Sequence, residues 1–322
     1  MTAVPGRLDP VVARARTLVR DVLEDDPRPV IIGLSGGADS LALTAVSAFV
    51  TGRMERSLRV VVVDHGLLDG SGGVARSAVA VAARLGVEGE VVRVSVDPQD
   101  ARGLEAAARQ ARYEALEHAA ETDDAQVLLA HTLDDQAETV LLGLGRGSGA
   151  RSLAGMAARR GRFARPLLGL RRADTERICR VHELEWWDDP HNADPRLRRS
   201  RVRHELLPLM EDVLGGGVAE ALARTADLLR ADADALDAEA EASMTDDIAA
   251  LAGLTPALRS RVLRRSALRS GARAGELTAE HIAQIAALVT RWHGQVRVEL
   301  PGGVSAVRAG NRLRFVPTPV AG

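Results

Sequence analysis

A short run of serine, glycine and aspartate near the start of the chain has the residue types that suit anion binding. Residues 35–40 read Ser-Gly-Gly-Ala-Asp-Ser and stand between an apolar run and an apolar, helix-forming stretch. In a strand–loop–helix arrangement, backbone N–H groups at the helix N-terminus converge on an anion. Gly36 and Gly37 permit positive φ and a close approach to the ligand, and Ser35 and Ser40 add hydroxyl donors. We predict a phosphate-binding loop here; the simpler alternative is an ordinary glycine-rich turn.

Asp39 is the unusual residue of this loop, because a carboxylate beside a phosphate is repulsive unless a cation lies between them. We therefore interpret Asp39 as a Mg²⁺ ligand or as a helix cap. The loop is not a Walker A motif, since no Gly-Lys-Ser/Thr follows and the chain contains no lysine. It is not a Gly-x-Gly-x-x-Gly dinucleotide fingerprint either.

A second group of polar residues combines a histidine with two acids. His131, Asp135 and Glu138 are spaced i, i+4 and i+7, which places them on one face of a predicted helix. Two or three such residues without further partners make a weak metal site, and a solvated acidic face is the simpler alternative. Because this helix follows the carboxyl end of a predicted strand, we expect the polar face to look into the same crevice as residues 35–40.

The segments around these residues alternate between buried strands and helices. Predicted helices cover residues 9–24, 74–85 and 103–121, and predicted strands cover residues 30–34, 58–64, 90–96 and 125–130. This alternation predicts an α/β fold with a doubly wound parallel sheet, whose ligands bind at the carboxyl ends of the strands. Asp64 and His65 lie at such an end.

Three consecutive glycines at residues 215–217 mark the predicted boundary between a domain of residues 1–214 and a smaller domain of residues 218–322. The second domain is predicted to be mainly helical. Its predicted helices extend to about residue 244 and over residues 255–269 and 278–292, and the second of them is rich in arginine. The alternating tail predicts a small antiparallel β meander.

Two further stretches offer cationic side chains. Residues 143–156 are too glycine-rich for a helix interior, so we predict a loop, which carries Arg146; a substrate-covering loop and a plain linker are equal alternatives. Residues 196–203 contain five arginines in eight positions, including Arg199, Arg201 and Arg203. This is a candidate patch for RNA or another anion, and a solvated arginine face is the alternative.

The composition narrows the class of protein. A chain of 322 residues with 46% hydrophobic residues has a core large enough for a globular protein. The net charge of −2 argues against a uniformly basic nucleic-acid binder but permits local patches. A single cysteine, Cys179, excludes an internal disulfide and cysteine-based metal centres. Neither a signal segment nor an apolar run of 18 residues occurs, so we expect a cytoplasmic enzyme or binding protein away from membranes.

Together these stretches resemble the tRNA(Ile)-lysidine synthases over nearly the whole chain, in their shorter form. The matching stretches are residues 35–40, 63–66, 105–113, 131–139, 146–149, 165–168 and 189–192. The first marks only the superfamily of PP-loop ATP pyrophosphatases, with its HUP-like fold. The run Asp-Asp-Gln-Ala-Glu-Thr, followed by Arg-Gly-Ser-Gly, is more specific. Leu68, His191 and Ser200 depart from the family's usual residues and leave the class unchanged.

The resemblance implies a ligase that acts in two steps on the wobble cytidine of an isoleucine tRNA with a CAU anticodon. ATP adenylates the cytosine at its C2 oxygen and releases pyrophosphate, and the amine of L-lysine then displaces AMP. Asp135 and Glu138 would bind the ammonium group, and one carboxylate or His131 would accept its proton. Arg112, or Arg109 one turn earlier, would steady phosphate or base.

The remaining roles that the resemblance implies fall into two sets. ATP and Mg²⁺ would bind at Ser35, Gly36, Gly37, Ala38, Asp39, Ser40, Asp64 and His65, with Asp39 as the metal ligand. The tRNA would contact Arg109, Arg146, Asn192, Arg199, Arg201, Arg203 and the second domain.

Three rival functions stay open at this point. One is another PP-loop ligase that adenylates a small molecule, as NAD⁺ or asparagine synthetases do. A tRNA thiolase is disfavoured, because sulfur transfer in that branch generally needs more than one cysteine. The third is a non-catalytic protein that binds nucleotide or RNA. The oligomeric state is open as well, with a homodimer as one alternative.

Overall fold

Hydrophobic segments form the predicted parallel sheet in the computed structural model, which describes residues 8–67, 70–97, 99–100, 103–147, 149–189 and 194–318. The strands of this sheet are β1 (Val30–Gly33), β2 (Leu58–Asp64), β3 (Glu88–Arg93), β4 (Gln126–Leu128), β5 (Arg159–Arg160) and β6 (Phe163–Ala164). Their order is β3-β2-β1-β4-β6-β5, and only the pairing of β5 with β6 is antiparallel. The predicted α/β fold is confirmed, and a short hairpin that the sequence analysis did not predict extends the sheet.

Helices cover both faces of this sheet. The helices of this part of the chain are α1 (Pro10–Glu24), α2 (Ala38–Arg53), α3 (Ser71–Arg84), α4 (Leu104–Thr122), α5 (Leu133–Leu144), α6 (Ala150–Leu153) and α7 (Arg172–Val181). Because side chains alternate along a strand, Ile32 and Val60 pack with α1, α2, α3 and α7, whereas Ile31 and Val61 pack with α4. Strands β1 and β2 are therefore buried on two sides, which explains why the sequence shows continuous apolar runs there.

The remaining helices and strands follow the sheet in the chain. The helices are α8 (Arg198–Arg201), α9 (Leu207–Val213), α10 (Val218–Ala242), α11 (Ile248–Gly253), α12 (Pro256–Arg269) and α13 (Ala279–Thr290), and a π-helical stretch (Val202–Leu206) joins α8 to α9. The strands are β7 (Val298–Leu300), β8 (Val304–Ala309) and β9 (Arg312–Pro317), which form the predicted antiparallel meander. Pro208 cannot donate to the carbonyl of His204, which accounts for the altered helical pattern before it.

The chain divides into two compact units, residues 1–227 and 228–322, and the division falls inside α10. The three glycines at residues 215–217 all have positive φ and precede this helix. The first turns of α10 belong to the first unit, because Val218 and Ala219 pack in one apolar cluster with Leu133 and Leu141 of α5. The sequence analysis predicted the boundary at the glycines, whereas this packing carries the first unit beyond them.

The glycine-rich stretch 143–156 contains more helix than predicted. Helix α5 extends to Leu144, and α6 forms one short turn within the stretch. The side chain of Gln136 fixes the C-terminal end of this stretch. Its amide oxygen accepts from Met156 N at 2.6 Å, and its amide nitrogen donates to Met156 O at 3.0 Å. Within the described ranges, no helix combines the length and apolar character that crossing a membrane requires.

Candidate active site

The predicted phosphate-binding loop joins the carboxyl end of β1 to the N-terminus of α2. Ser40 Oγ donates to Gly37 O at 2.9 Å and lies 3.1 Å from Ser35 Oγ. Ser35 N donates to the same Ser40 oxygen at 3.2 Å. These bonds curl the loop around the start of the helix, where Ala38 and the residues after it have N–H groups without intrahelical acceptors. The loop thus has the predicted strand–loop–helix geometry, and anion binding by it stays a prediction.

Gly36 is required by both its conformation and its surroundings. Its φ is +85°, a region that favours glycine. A Cβ atom at this position would lie 3.3 Å from the Cβ of Ala78 on α3. The carbonyl of Gly36 accepts a hydrogen bond from Trp187 N at 3.0 Å. The segment that follows α7 therefore holds the loop from outside.

Asp39, in the first turn of α2, is contacted by two residues of α7. Thr175 Oγ1 donates to Asp39 Oδ1, and Arg172 Nε lies 3.7 Å from Asp39 Oδ2. Burial raises the pKa of Asp39 to about 6, although the Thr175 hydrogen bond and the charge of Arg172 oppose this shift. Below that pH the carboxyl group is protonated, and above it the group is an anion available to a cation.

Mg²⁺ commonly binds through one or two carboxylates together with substrate phosphates. In the described part of the chain, no group of three or more His, Cys, Asp or Glu side chains could hold a metal ion by itself. A single carboxylate at the phosphate-binding loop nevertheless fits the kind of Mg²⁺ site that phosphate oxygens complete. Asp39 is the residue in the position to provide it.

A cavity of about 140 Å³ adjoins the phosphate-binding loop. Its lining comprises Gly33, Leu34, Ser35, Asp39, Ser40, Val61, Val63, Arg112, Leu129, Ala130 and His131. The predicted loop, the α4 arginine and the histidine after β4 therefore share one space at the carboxyl ends of the strands. Burial and the nearby charge of Arg109 lower the pKa of Arg112.

His131 reaches this cavity as a neutral side chain. Burial lowers its pKa to about 3, and the charges of Arg165, Arg109 and Arg199 act in the same direction while Asp135 opposes them. Its Nδ1 atom is buried and has no hydrogen-bond partner among the described residues. The ring therefore offers a polar atom to a ligand, but it is a weak proton acceptor in this arrangement.

Asp135 and Glu138 on α5 are buried against three arginines, and we call these five residues the arginine–carboxylate cluster. The arginines are Arg172, Arg199 and Arg203. Arg199 Nε donates to Glu138 Oε2 and Arg203 Nε to Glu138 Oε1, each at 2.7 Å. All three guanidinium groups also approach Asp135 Oδ1, at 3.2 to 3.4 Å. The solvated acidic face considered from the sequence is therefore wrong, since Glu138 is 0% exposed and Asp135 is 8% exposed.

The start of α5 fixes the orientation of this cluster. Thr132 N and Thr132 Oγ1 donate to Asp135 Oδ2 at 2.9 and 3.1 Å, in a capping box that anchors the carboxylate. Burial would raise the pKa of Asp135, but Arg172 and Arg199 outweigh it and hold that pKa below its usual value. Asp134 accepts from Arg172 N at 2.7 Å and so positions the start of α7.

Asp64 and His65 lie at the end of β2, as predicted. Asp64 Oδ1 accepts from Gly66 N at 3.0 Å and from Ser71 Oγ at 2.7 Å, and these bonds lower its pKa. Asp64 thus shapes the turn that follows the strand. Burial and the charge of Arg112 lower the pKa of His65, whose Nδ1 is buried without a hydrogen-bond partner in the described ranges.

The residues predicted to bind tRNA separate into different environments. Arg199 and Arg203 point into the cluster, whereas Arg201 forms an exposed pair with Glu205 at 2.8 Å. Arg109 is exposed and donates to Tyr113 OH at 3.3 Å, and Arg146 is exposed in the turn after α5. Asn192 lies outside the described residues. The role of these side chains in tRNA binding stays a prediction.

Two residues of the site, Arg172 and Thr175, were not predicted from the sequence. Arg172 lies within 4 Å of Asp39, Asp135 and Glu138, and Thr175 holds Asp39. Their spacing of three places both on one face of α7. Because the chain is rich in arginine, the residue type alone does not mark Arg172 as part of a site. Only the packing of α7 against α2 and α5 reveals them.

Comparison with known families first defines the class. Residues 9–210 match the PP-loop domain family, whose members use ATP, and residues 247–314 match the TilS substrate binding domain. The chain is 53% identical over 304 residues to a tRNA(Ile)-lysidine synthase from Thermobifida fusca, which covers 91% of this chain and 94% of the relative. A tRNA(Ile)-lysidine synthase from Streptomyces coelicolor is 51% identical over 88% of this chain and 84% of the relative. The chain belongs to the tRNA(Ile)-lysidine synthase family, which confirms the resemblance found in the sequence.

A solved structure with the same fold is a U34-tRNA thiolase from Methanococcus maripaludis. It superimposes with a TM-score of 0.57 at 20% identity and covers 68% of this chain and 80% of that chain. At this identity the likeness concerns the fold alone.

Proposed function

We propose that this chain adenylates the wobble cytidine of an isoleucine tRNA with a CAU anticodon and then joins L-lysine to C2 of that base. The observation that carries this proposal is the position of Arg172. It lies 3.7 Å from Asp39 on the phosphate-binding loop and 3.2 Å from Asp135 in the arginine–carboxylate cluster. One side chain thus links the site suited to ATP with a site suited to a charged second substrate, as a two-step ligase needs.

In the first step, the cytosine C2 oxygen attacks the α-phosphorus of ATP, and pyrophosphate leaves. Charge develops on the phosphate oxygens, and fixed N–H donors stabilise it without reorganisation. The loop from Ser35 to Ser40 supplies these donors, and Arg112, which lines the same cavity, adds a cation. Asp39 would hold Mg²⁺, which supplies Lewis-acid stabilisation of the phosphates when bound.

In the second step, the amine of lysine attacks C2 of the adenylated base, the C2–O bond breaks and AMP leaves with that oxygen. Lysine carries two ammonium groups and one carboxylate, so its binding site needs charges of both signs. The arginine–carboxylate cluster provides both: Asp135 and Glu138 suit an ammonium group, and the guanidinium groups suit the α-carboxylate. Lysine binding would exchange some of the present ion pairs for pairs with the substrate.

The amine must lose a proton before or while it attacks. His131 is a poor store for that proton because its pKa is about 3. We therefore assign it a hydrogen bond to the base or to the substrate, through the buried ring nitrogen that has no partner among the described residues. We therefore assign the proton to one carboxylate of the cluster, Asp135 or Glu138, which orients the ammonium group and accepts its proton so that the amine can attack.

Substrate omission tests the whole reaction. The purified protein is given ATP, L-lysine carrying a radioactive label and an isoleucine tRNA transcript, each omitted in turn, and both pyrophosphate and labelled tRNA are measured. Label in the tRNA only when ATP is present establishes the proposed ligation. Pyrophosphate release indifferent to tRNA indicates a small-molecule ligase instead, and no release at all indicates a binding protein. A methionine tRNA transcript, which also has a CAU anticodon, is the specificity control.

One substitution separates the two steps, and a pair of arginine substitutions tests the cluster. Glu138→Gln is expected to raise the KM for lysine while tRNA-dependent pyrophosphate release in the absence of lysine persists. Arg203→Ala removes a guanidinium group of the cluster and should also raise the KM for lysine. Arg201→Ala removes an arginine of the same segment that pairs with the exposed Glu205, so it is the matched control for the lysine KM, whatever its effect on tRNA binding. Equal lysine KM values for Glu138→Gln and the unchanged protein would contradict the assignment of the cluster.

A further inference from the structure

An exposed loop of the second unit carries one of the three tryptophans of a chain that has only 2% aromatic residues. Residues 291–297 join α13 to β7, and every one of them is exposed. Trp292 keeps 47% of its surface in contact with solvent. Single exposed apolar side chains are common on protein surfaces, but this ring is fixed by hydrogen bonds and lies beside a cation.

The ring of Trp292 is held in place. Its Nε1 donates to Gln295 O at 3.2 Å. The Gln295 amide in turn accepts from His293 N at 2.7 Å and donates to Arg291 O at 3.3 Å. Three hydrogen bonds therefore tie the loop to itself around the indole, which is preorganised rather than free to collapse onto the surface.

Arg308 on β8 completes the feature. Its guanidinium carbon lies 4.9 Å from the centre of the Trp292 ring, a cation–π distance. The guanidinium donates to Leu288 O at 3.1 Å and to Gly310 O at 3.3 Å. Because these acceptors are neutral carbonyl groups, the positive charge beside the ring is not neutralised by them.

The surroundings add more positive charge than negative. The same loop contains Arg291 and Arg297, and the nearest acid along the chain is Glu299, whose carboxylate lies 3.6 Å from Arg297. A fixed aromatic ring beside guanidinium groups is the combination that single-stranded RNA requires, since the ring stacks on a base and the cations contact phosphate. The residues lie within the stretch that matches the TilS substrate binding domain.

We propose that Trp292 stacks on an unpaired base of the bound tRNA while Arg308 contacts a neighbouring phosphate. This inference rests on the proposed function only for the identity of the RNA. We assign this surface to affinity for the tRNA and not to the chemical steps. An unpaired base is the expected occupant because a base within a helix has no free face.

The first test replaces the ring in three ways and measures the Kd for the isoleucine tRNA transcript with the full chain. Trp292→Ala should raise the Kd by roughly 5- to 100-fold, the usual worth of one base–aromatic stack. Trp292→Phe keeps a π face and should retain most of the affinity, whereas Trp292→Leu keeps apolar volume without one and should bind as weakly as Trp292→Ala. If Leu binds as well as Phe, the side chain only supports the fold and the inference is wrong.

The second test uses salt. Arg308→Gln should reduce the slope of log Kd against log salt concentration by about one, as loss of one phosphate contact does. Trp292→Leu should leave that slope unchanged. Arg273→Gln, which removes an exposed arginine paired with Glu276 in the same unit, is the control and should change neither Kd nor slope.

Kinetics separate this inference from the proposed function. If lysine is incorporated, Trp292→Leu should raise the KM for tRNA by the same factor as the Kd and leave kcat at saturating tRNA within about twofold. If the unchanged protein incorporates no lysine but its tRNA affinity still depends on Trp292, the proposed function fails and this inference stands. If lysine is incorporated and all three Trp292 variants bind tRNA like the unchanged protein, the inference fails alone, and the surface serves a protein partner instead.

Discussion

The arginine–carboxylate cluster of the first unit and the ion pairs around Glu241 in the second unit differ in their exposure to water. In the first unit, Glu138 is 0% exposed and receives a hydrogen bond on each carboxylate oxygen from a different guanidinium group. In the second unit, Arg265 and Arg269 both pair with Glu241, whose side chain is 46% exposed. Exposed pairs are worth about 0–1 kcal/mol, whereas breaking a buried pair costs about 3–5 kcal/mol. The free energy that an arginine–carboxylate pair contributes to stability therefore depends on its burial.

This difference changes the interpretation of the arginine-rich helix α12. Arg261 pairs with Asp237 of α10, and the pairs to Glu241 join the same two helices. Much of the positive charge of α12 is thus directed at an acidic neighbour. The Arg308 guanidinium, by contrast, donates to carbonyl oxygens, so its charge stays available for the phosphate contact proposed above.

The comparison predicts the largest loss of activity at Asp39. Asp39→Asn keeps the shape of the side chain and its ability to accept from Thr175, but it removes the charge that would bind Mg²⁺. Adenylation, measured as tRNA-dependent pyrophosphate release at pH 8, should fall by about 100- to 1,000-fold or more, as when a main electrostatic group is lost. Asp237→Asn makes the same substitution in a part-buried ion pair of the second unit and should leave the rate unchanged. Equal rates for both variants would remove Asp39 from the mechanism.

The second prediction concerns the stability of the buried cluster. Glu138→Gln leaves Arg199 and Arg203 with Asp135 as their remaining anion, so the free energy of unfolding should fall by about 3 kcal/mol. Denaturant titration measures this loss, and Glu241→Gln is the matched substitution in the exposed pairs. A loss at Glu138 no larger than that at Glu241 would show that the cluster is solvated in solution, against the burial described above.

The third prediction uses the pKa of Asp39, which burial raises from 3.8 to about 6. A raised carboxyl pKa means that the folded state binds the proton more tightly than the unfolded state, so stability is lost as the pH rises from about 4 to above 6. Asp39→Asn removes this penalty. The variant should be more stable than the unchanged protein by about 1–3 kcal/mol at pH 8, and the difference should shrink toward pH 4.5.

Thermal unfolding of both proteins across that pH range checks the sign. The prediction is wrong if the stability of Asp39→Asn, relative to that of the unchanged protein, is lower at pH 8 than at pH 4.5. If the sign holds, Asp39 is a residue that lowers stability at the pH where it would bind a cation, as is common at functional sites.

Much of the fold could be predicted because its signals are local. Four valines in β2 indicate a strand buried on two sides, and Thr255 with Pro256 marks the start of α12 at the residue where the structure places it. The hairpin of β5 and β6 could not be predicted, since two-residue strands have no periodicity and depend on pairing with β4. The extension of the first unit into α10 likewise depends on packing against α5.

The phosphate-binding loop of the site could be predicted from the sequence, whereas the partners of its charged residues could not. The residue types of residues 35–40 and their order are typical of an anion-binding loop. The spacing of Asp135 and Glu138 correctly indicates a shared face of α5, but it does not show what that face meets. Arg172 comes from a helix far along the chain, and only the tertiary fold brings it between the carboxylates. Long-range ion pairs leave no mark in a single sequence.

The smallest effect is expected at the exposed pairs of the second unit. Glu241→Ala removes the acceptor of Arg265 and Arg269, whose side chains keep access to water. The free energy of unfolding should change by less than about 1 kcal/mol, and lysine incorporation should stay at the level of the unchanged protein. A double-mutant cycle with Arg269→Ala isolates the pair energy, which high salt should reduce further. A coupling of several kcal/mol would overturn the contrast between the two units, because exposure to water would then not be what weakens an arginine–carboxylate pair in this chain.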